Sequence, residues 1–329
     1  MIAKPLLRAL AVTALLLAGW AAPARAALGP VYPASNWTAA LEKVIHADVT
    51  QSVTLPGGDI LWVFGDTTRV NGVSTVGPYG YPHSAFAIQT AGTLTFEAVP
   101  GPYGYGWQQV PNWSDGTYFW MSTPIVDSGS LYVLGQRIRG VSPFTVVGPY
   151  VAVFNASTLA FQRIVPLPSG ATGTTMWGGV AGTSNGWWIT GTHPVKCSYS
   201  TNCSVADMAF VPFGGLADAA RWTVYGNVIP ETTNIGVVLA LRKAATGWAI
   251  FTKRGDAYGG TQIERLTATS VTGTWTITGM WDAPSPAGAI TYAVAVHPEQ
   301  AANSGQVLVS YNVNGNEADY YPRFLYLPL

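Results

Sequence analysis

The sequence of 329 residues is poor in charge and in cysteine. Only 10% of its residues are charged, against about 25% in a typical soluble domain, and its 16 Lys and Arg equal its 16 Asp and Glu in number. This balance excludes binding to nucleic acid through a basic patch, because neutralising phosphates requires clustered Lys and Arg. A helical bundle, which would be rich in Ala, Glu, Lys and Leu, is excluded as well.

The cysteines and histidines are too few and too scattered to indicate a metal site. Cys197 and Cys203 are the only two cysteines, and four scattered histidines do not have the spacing of zinc ligands. In an exported protein, the two cysteines predict a local disulfide that stabilises the fold by about 2 kcal/mol. No phosphate-binding loop or dinucleotide fingerprint appears. We therefore expect no metal and no cofactor.

The first 26 residues have the pattern of a secretory signal peptide. Lys4 and Arg8 form a charged start, an apolar run covers residues 9–22, and residues 24–26 (Ala-Arg-Ala) provide the cleavage site. The run is shorter than the ~20 residues that span a bilayer, which argues against a membrane anchor. We expect residues 27–329 to be secreted, to have no membrane contact after cleavage, and to form a monomer.

What the sequence contains instead is one strand pattern that recurs five times. Each copy is a turn, an aromatic-rich apolar strand and then a small or polar residue, at residues 58–65, 129–135, 186–191, 247–252 and 305–311. Short strands and turns repeated at about 60 residues are typical of propeller blades. We predict an all-β fold, a five-bladed β-propeller over residues 27–329, in which the N-terminal segment adds a strand to the last blade. The alternative is a two-sheet sandwich with a second domain.

A second apolar strand precedes each turn, and its early residues are predicted to face a central channel. These residues are Asp48, Trp120, Trp177, Asn234 and Tyr292. Aromatic faces stack on the C–H-rich faces of sugar rings, while an acid and an amide bind hydroxyl groups. The set therefore predicts a cavity that binds polysaccharide.

Asp48 and Asp66 are predicted to face each other across the first hairpin. They lie at equal distances from the turn at residues 56–58, so a hairpin in register brings their Cβ atoms to about 5 Å. Two carboxylates this close repel each other, one pKa rises, and the site then contains both an acid and a base. That pair is the minimum for glycoside hydrolysis. The structural alternative is that Asp66 caps a turn and Asp48 binds backbone amides.

Residues 61–67 (Leu-Trp-Val-Phe-Gly-Asp-Thr) resemble the hallmark of secreted, mostly bacterial five-bladed propellers of the endo-D-arabinanase type, a group formerly described as a domain of unknown function. The runs at 47–49, 82–85, 308–314 and 321–324 fit the same family. The resemblance covers nearly the whole mature chain. It implies a glycoside hydrolase that acts on furanose polymers.

The resemblance also implies that Asp48 and Asp66 are the paired acids of that family. Related five-bladed hydrolases carry a third essential acid on a later blade. The candidates here are Glu231 and Asp127, although Asp127 is followed by Ser and Gly, which is typical of a hairpin turn.

Four other polar residues are candidates for binding substrate. Arg137 follows the second repeat strand, where a guanidinium clamps hydroxyls or remains solvated. His83 lies near Asp66 or is an exposed loop histidine. His297 and Asn312 lie on adjoining strands of the last repeat and are predicted to border the channel.

Three functions are compatible with this pattern. The favoured one is a secreted glycoside hydrolase, endo-acting on an arabinan-like furanose polysaccharide. The second is a non-catalytic, lectin-like propeller that binds wall polysaccharide, which the lack of a clear third acid favours. The third is a scaffold that presents loops to a protein partner, which predicts a large exposed apolar patch.

Overall fold

The computed structural model describes residues 32–76, 80–103, 106–140, 144–170, 174–195, 203–230, 233–254, 261–300, 305–315 and 320–329. The predicted signal peptide, Cys197 and Glu231 lie outside these residues, so the signal peptide and the disulfide stay predictions. Across the described ranges, every helix is too short or too polar to traverse a lipid bilayer.

The described chain opens with two short strands and one helix: β1 (Tyr32–Pro33), α1 (Ser35–Glu42) and β2 (Ile45–Ala47). Sheet I follows and consists of β3 (Gln51–Thr54), β4 (Ile60–Phe64), β7 (Ala85–Gln89) and β8 (Phe96–Val99). Between β4 and β7, β5 (Thr67–Val70) pairs with β2, and β6 (Val73–Ser74) pairs with β5, which forms a small three-stranded sheet.

Four more antiparallel sheets of four strands each complete the fold. Sheet II consists of β9 (Tyr118–Asp127), β10 (Ser130–Arg139), β11 (Thr145–Asn155) and β12 (Phe161–Pro166). Sheet III consists of β13 (Met176–Gly182), β14 (Gly186–Val195), β15 (Cys203–Pro212) and β16 (Thr223–Ile229). Sheet IV consists of β17 (Ile235–Ala244), β18 (Gly247–Arg254), β19 (Gln262–Ala268) and β20 (Thr276–Asp282). Sheet V consists of β21 (Ile290–His297), β22 (Gln306–Asn314), β23 (Pro322–Pro328) and β1. Two short 3₁₀ helices, Ala219–Arg221 and Pro298–Gln300, lie in the connections.

The fold is therefore all-β, and each of the five sequence repeats forms the second strand of one four-stranded sheet. In β4, for example, all five side chains are buried. Leu61 and Val63 pack against sheet II, whereas Trp62 and Phe64 pack against sheet V. Because both faces of the strand are covered, its sequence is continuously apolar rather than alternating.

The five sheets contact one another in cyclic order through their first strands. β3 packs against β9, β9 against β13, β13 against β17, β17 against β21, and β21 against β3. As predicted, the N-terminal segment adds a strand to the last sheet, where β1 pairs with β23. The following helix packs on β23, and Trp37 Nε1 donates to Tyr326 Oη at 2.9 Å.

Asp127 links sheets II and III at the end of the molecule where the first strands finish. Its Oδ2 accepts from Gly214 N at 2.7 Å and from Trp187 Nε1 at 3.3 Å. Ser128 and Gly129 have φ of 52° and 79°, which are the left-handed angles of a tight hairpin turn. The hairpin interpretation is therefore right, and Asp127 as a third acid near Asp48 is wrong, because Asp48 precedes a first strand and Asp127 ends one.

We expect Asp127→Ala to lower the free energy of unfolding by about 2 kcal/mol, since it leaves the Gly214 amide without its acceptor. Chemical denaturation measures this change. The matched control is Asp282→Ala, whose carboxylate accepts from Gln262 at 3.3 Å on the exposed surface and should cost less than about 0.5 kcal/mol. Equal losses in the two variants would contradict the linking role of Asp127.

Candidate active site

The register of the β3–β4 hairpin places Asp48 opposite Asp66. Gln51 pairs with Val63 within the hairpin, and beyond the ends of both strands Asp48 lies opposite residues 65 and 66. Asp48 N donates to Asp66 O at 3.1 Å, and Gly65 N donates to Asp48 O at 2.9 Å. The predicted convergence of the two acids is therefore present in the structure.

The strand that carries Asp48 is divided, although the sequence predicts one continuous strand. Val49 has φ of 51°, which is costly for a β-branched residue, and it separates β2 from β3. Asp48 lies in this break, where its Oδ1 accepts from Asp66 N at 2.7 Å. Asp48 thus binds a backbone amide, as the structural alternative predicts, and also faces the second acid.

Gly65 provides the space in which Asp48 meets the aromatic wall. A Cβ atom at Gly65 would lie 2.5 Å from Asp48 Oδ1 and would collide with the indole of Trp120. Trp120, at the start of β9, therefore reaches sheet I only because residue 65 has no side chain. This contact places the predicted Trp120 beside the acid pair.

Tyrosine hydroxyls surround the two carboxyls. Tyr292 Oη, from β21, donates to Asp48 Oδ2 at 3.1 Å. Tyr320 also hydrogen-bonds to Asp48, and Tyr81 to Asp66. Burial, followed by the nearby carboxylates, raises the pKa of all three tyrosines, so they remain neutral donors. Tyr292 was predicted from the sequence to face the channel, whereas Tyr320 was not, although the adjacent tyrosines at 320–321 were an available signal.

His83 is also part of this site, but it contacts an acid rather than an open surface. Its Nδ1 lies 2.7 Å from Asp66 Oδ1. Its ring stacks on Tyr118 of β9 with centroids 3.5 Å apart and an interplanar angle of 14°. Tyr118 was not predicted as a site residue, because nothing in its local sequence distinguishes it from a core tyrosine.

The two carboxyls differ in environment. Asp48 is 2% exposed, and its burial, followed by the charge of Asp66, raises the pKa of Asp48 to about 8 even though hydrogen bonds oppose the shift. Asp66 exposes 15% of its side chain. At neutral pH the buried acid therefore carries a proton, and the carboxyl that reaches solvent belongs to Asp66.

Trp177, His297 and Asn312 have structural roles instead of the predicted binding roles. Trp177 is 1% exposed, and its Nε1 donates to Pro168 O at 2.8 Å in the core between sheets II and III. His297 Nε2 lies 2.8 Å from Ser310 Oγ within sheet V, and the Asn312 amide donates to a backbone oxygen of β2 at 3.1 Å. Both are buried between the first and last sheets.

Arg137 and Asn234 do not join the acid pair either. The guanidinium of Arg137 donates to Thr117 Oγ1 at 2.8 Å and to Asp115 Oδ2 at 2.9 Å, and it lies 4.6 Å from the ring centroid of Trp113. Asn234 directly precedes β17 with φ of 59°, a backbone angle that asparagine tolerates better than most residues.

Cys203 is buried at the start of β15. Within the described ranges, no three His, Cys, Asp or Glu side chains converge as metal ligands.

The sequence matches no protein-family model and no curated protein. Solved structures match its fold. An α-L-arabinofuranosidase from Lactobacillus brevis is 9% identical, with TM-score 0.57 over 87% of this chain and 91% of that chain. An α-L-arabinanase from Penicillium chrysogenum, complexed with arabinobiose, is 13% identical, with TM-score 0.51 over 86% and 93%. A GH43_1 enzyme from Xanthomonas citri, complexed with xylose, is 11% identical, with TM-score 0.56 over 90% and 93%. These likenesses show a β-propeller-like fold and no more.

We expect Gly65→Ala to lower the free energy of unfolding by about 1–3 kcal/mol, because the new methyl group displaces Asp48 or Trp120. The matched control is Gly57→Ala in the turn of the same hairpin, where a Cβ atom meets nothing within 4 Å. Chemical denaturation of the two variants distinguishes the contact from a general cost of replacing glycine. Equal free energies of unfolding for Gly65→Ala and Gly57→Ala would contradict the close contact of residue 65 with Asp48 and Trp120.

The pKa of Asp48 predicts a pH dependence of stability that Asp48→Asn removes. The unfolded chain releases this proton near the ordinary value of 3.8, whereas the folded protein retains it to about 8. The contribution of Asp48 to the free energy of unfolding therefore falls as pH rises between these values, by at most about 1.4 kcal/mol per pH unit.

Urea denaturation at pH 5 and pH 8 measures the effect. The stability of Asp48→Asn relative to the wild type should increase with pH. The control Asp59→Asn, whose carboxylate accepts from Ala91 N at 3.1 Å in the exposed turn, should show no such trend. If the free energy of unfolding of Asp48→Asn differs from that of the wild type by the same amount at both pH values, the raised pKa of Asp48 is contradicted.

Proposed function

We propose that this chain is a secreted glycoside hydrolase, endo-acting on an arabinan-like furanose polysaccharide, and that Asp48 and Asp66 perform the reaction. The observation that carries the proposal is a pair of facing carboxyls, of which Asp48 is buried with a raised pKa and Asp66 is partly exposed. Glycoside hydrolysis requires a carboxylic acid and a carboxylate at one site.

The fold supports the proposal. We infer that the five four-stranded sheets are the blades of a five-bladed propeller, since their first strands contact one another in a cycle. Asp48, Asp66, Trp120 and Tyr292 all lie at the end where first strands begin. The similar solved structures include enzymes whose descriptions name arabinanase and arabinofuranosidase activities.

In the proposed reaction, the proton on Asp48 passes to the glycosidic oxygen as its bond to the anomeric carbon breaks. The Asp66 carboxylate either bonds to that carbon or takes a proton from the water that attacks it. In both routes, water supplies a hydroxyl group to the sugar and a proton that returns to the pair. The acid and the carboxylate are thus regenerated after each turnover.

The surroundings of the pair suit a neutral sugar. Trp120 supplies an aromatic face for C–H groups, and the partly exposed Tyr81 and Tyr320 supply neutral hydroxyls for hydrogen bonds. The charges that shift the pKa values of Asp48, Tyr81 and Tyr292 are those of the two aspartates. These carboxyls would repel an anionic substrate, so a neutral polysaccharide fits better.

A second function, binding of polysaccharide without cleavage, is favoured by one observation. Asp48 is 2% exposed and Asp66 exposes 15% of its side chain, so a glycosidic oxygen has little access to the buried acid. If Asp48 stays out of reach, the site binds sugar and does not hydrolyse it.

We expect the purified protein to release a mixture of oligosaccharides from arabinan or arabinogalactan. Asp66→Asn and Asp48→Asn should each lower the rate at least about 100-fold, because each removes one half of the acid–base pair. Chromatography of the products measures both outcomes, and Asp59→Asn is the matched control that should retain activity. Binding without products would select the lectin-like function, whereas full activity of Asp66→Asn would exclude the pair from the mechanism.

A further inference from the structure

His83 lies on a segment whose backbone is fixed on both sides. Pro82 O accepts from Thr67 N at 2.9 Å, which ties the segment to β5. Ser84 O accepts from Gln109 N at 2.8 Å, and a second amide donates to Ser84 Oγ at 3.1 Å. The Cα atom of His83 therefore has little freedom relative to the first hairpin.

The imidazole ring is fixed as well. Tyr118 stacks on one face with centroids 3.5 Å apart, and the ring of Tyr81 lies edge-on at 5.4 Å. Tilting the imidazole out of its plane would break the stack. Within that plane, Nδ1 lies 2.7 Å from Asp66 Oδ1. Because a carboxylate has no hydrogen to donate, Nδ1 carries the proton and donates it.

This contact makes the acid pair asymmetric. Asp66 accepts hydrogen bonds from an imidazole and from Tyr81, whereas Asp48 accepts from Asp66 N and from tyrosine hydroxyls in a buried site. Burial disfavours the charged form of a carboxyl, and it raises the pKa of Asp48 despite these hydrogen bonds. Asp66 is the less buried member of the pair and the only one that bonds to a histidine in the described structure.

We propose, on the basis of the proposed function, that His83 is a positioning residue, whose hydrogen bond aims the carboxyl of Asp66 at the reacting atoms. The imidazole bonds to Oδ1 of Asp66, and the hydroxyl of Tyr81 bonds to the same carboxyl, so the two donors together hold its orientation toward the anomeric carbon or the attacking water. His83 itself transfers no proton to substrate.

Among the described residues, the other titratable groups at this site are Asp48 and several tyrosines, of which Tyr81 also hydrogen-bonds to Asp66. Burial first, and then the carboxylates, raise the pKa of the tyrosines, so none of them ionises near neutral pH. The groups that face Asp66 and His83 are Asp48 before β3, Tyr81 on the same segment as His83, Tyr118 of β9, Tyr292 of β21 and Tyr320 before β23.

Three variants separate the hydrogen bond from packing. His83→Phe keeps a ring against Tyr118 and removes the donor. His83→Asn and His83→Leu have nearly the same shape, but only Asn has a donor near the position of Nδ1. The Asn and Leu variants give the comparison even if His83→Phe does not fold, and circular dichroism with thermal unfolding checks each variant.

On arabinan, we expect His83→Phe and His83→Leu to lower kcat/KM about 10- to 100-fold through misdirection of Asp66. KM should stay within about twofold, because the lost interaction acts mainly in the transition state. On the acidic side of the pH profile, the pH at which kcat/KM falls to half its maximum should rise by about one unit, the equivalent of one lost hydrogen bond to a charged group. His83→Asn should restore both kcat/KM and this pH to their wild-type values.

A measurement without substrate distinguishes this inference from the proposed function. In protein labelled with ¹³C at aspartate side chains, the chemical shift of the Asp66 carboxyl carbon at pH 7 should change in His83→Leu and stay near the wild-type value in His83→Asn. Identical chemical shifts in the three proteins, or equal loss of activity in the Asn and Leu variants, would overturn the positioning role. A changed chemical shift in a protein that cleaves no glycan would instead contradict the proposed hydrolase and leave the contact of His83 with Asp66 established.

Discussion

The register of one hairpin is the constraint on which the candidate site depends. Leu55 N donates to Asp59 O at 2.8 Å, Gly58 N donates to Leu55 O at 2.9 Å, and Gly58 has φ of 94°. This turn sets the pairing of β3 with β4, and the pairing sets Asp48 against Asp66. Because side chains alternate along a strand, a slip of one residue would turn one acid to the opposite face.

The contact between the last sheet and the first uses polar residues that look functional in sequence. Where the last sheet meets the first, His297 Nδ1 lies 2.5 Å from Ser52 Oγ, and its ring centroid is 4.6 Å from that of Trp62. Burial lowers the pKa of His297 to about 3, so the imidazole is neutral and acts as a hydrogen-bonding element of the interface. Histidine and asparagine in an apolar repeat therefore indicate a buried seam as readily as a ligand site.

The successes and failures of sequence reasoning follow from the range of the interactions involved. The convergence of Asp48 and Asp66 was predictable because both belong to one hairpin with a short turn. Trp177 was misassigned, because counting from a turn cannot tell the channel side of a first strand from the side that packs on the neighbouring sheet. Tyr118 and Tyr320 were missed, since sheets II and V bring them to the site from distant parts of the chain.

The amino-acid sequence by itself determined the all-β composition, the five strand repeats and the facing of the two acids, because strand periodicity and hairpin register are local properties. Only the tertiary structure decided which acid is buried, since the burial of Asp48 arises from side chains contributed by sheets II and V. It also decided that His83 contacts Asp66 while His297 does not, because that difference depends on how separate sheets pack and on no feature within either segment.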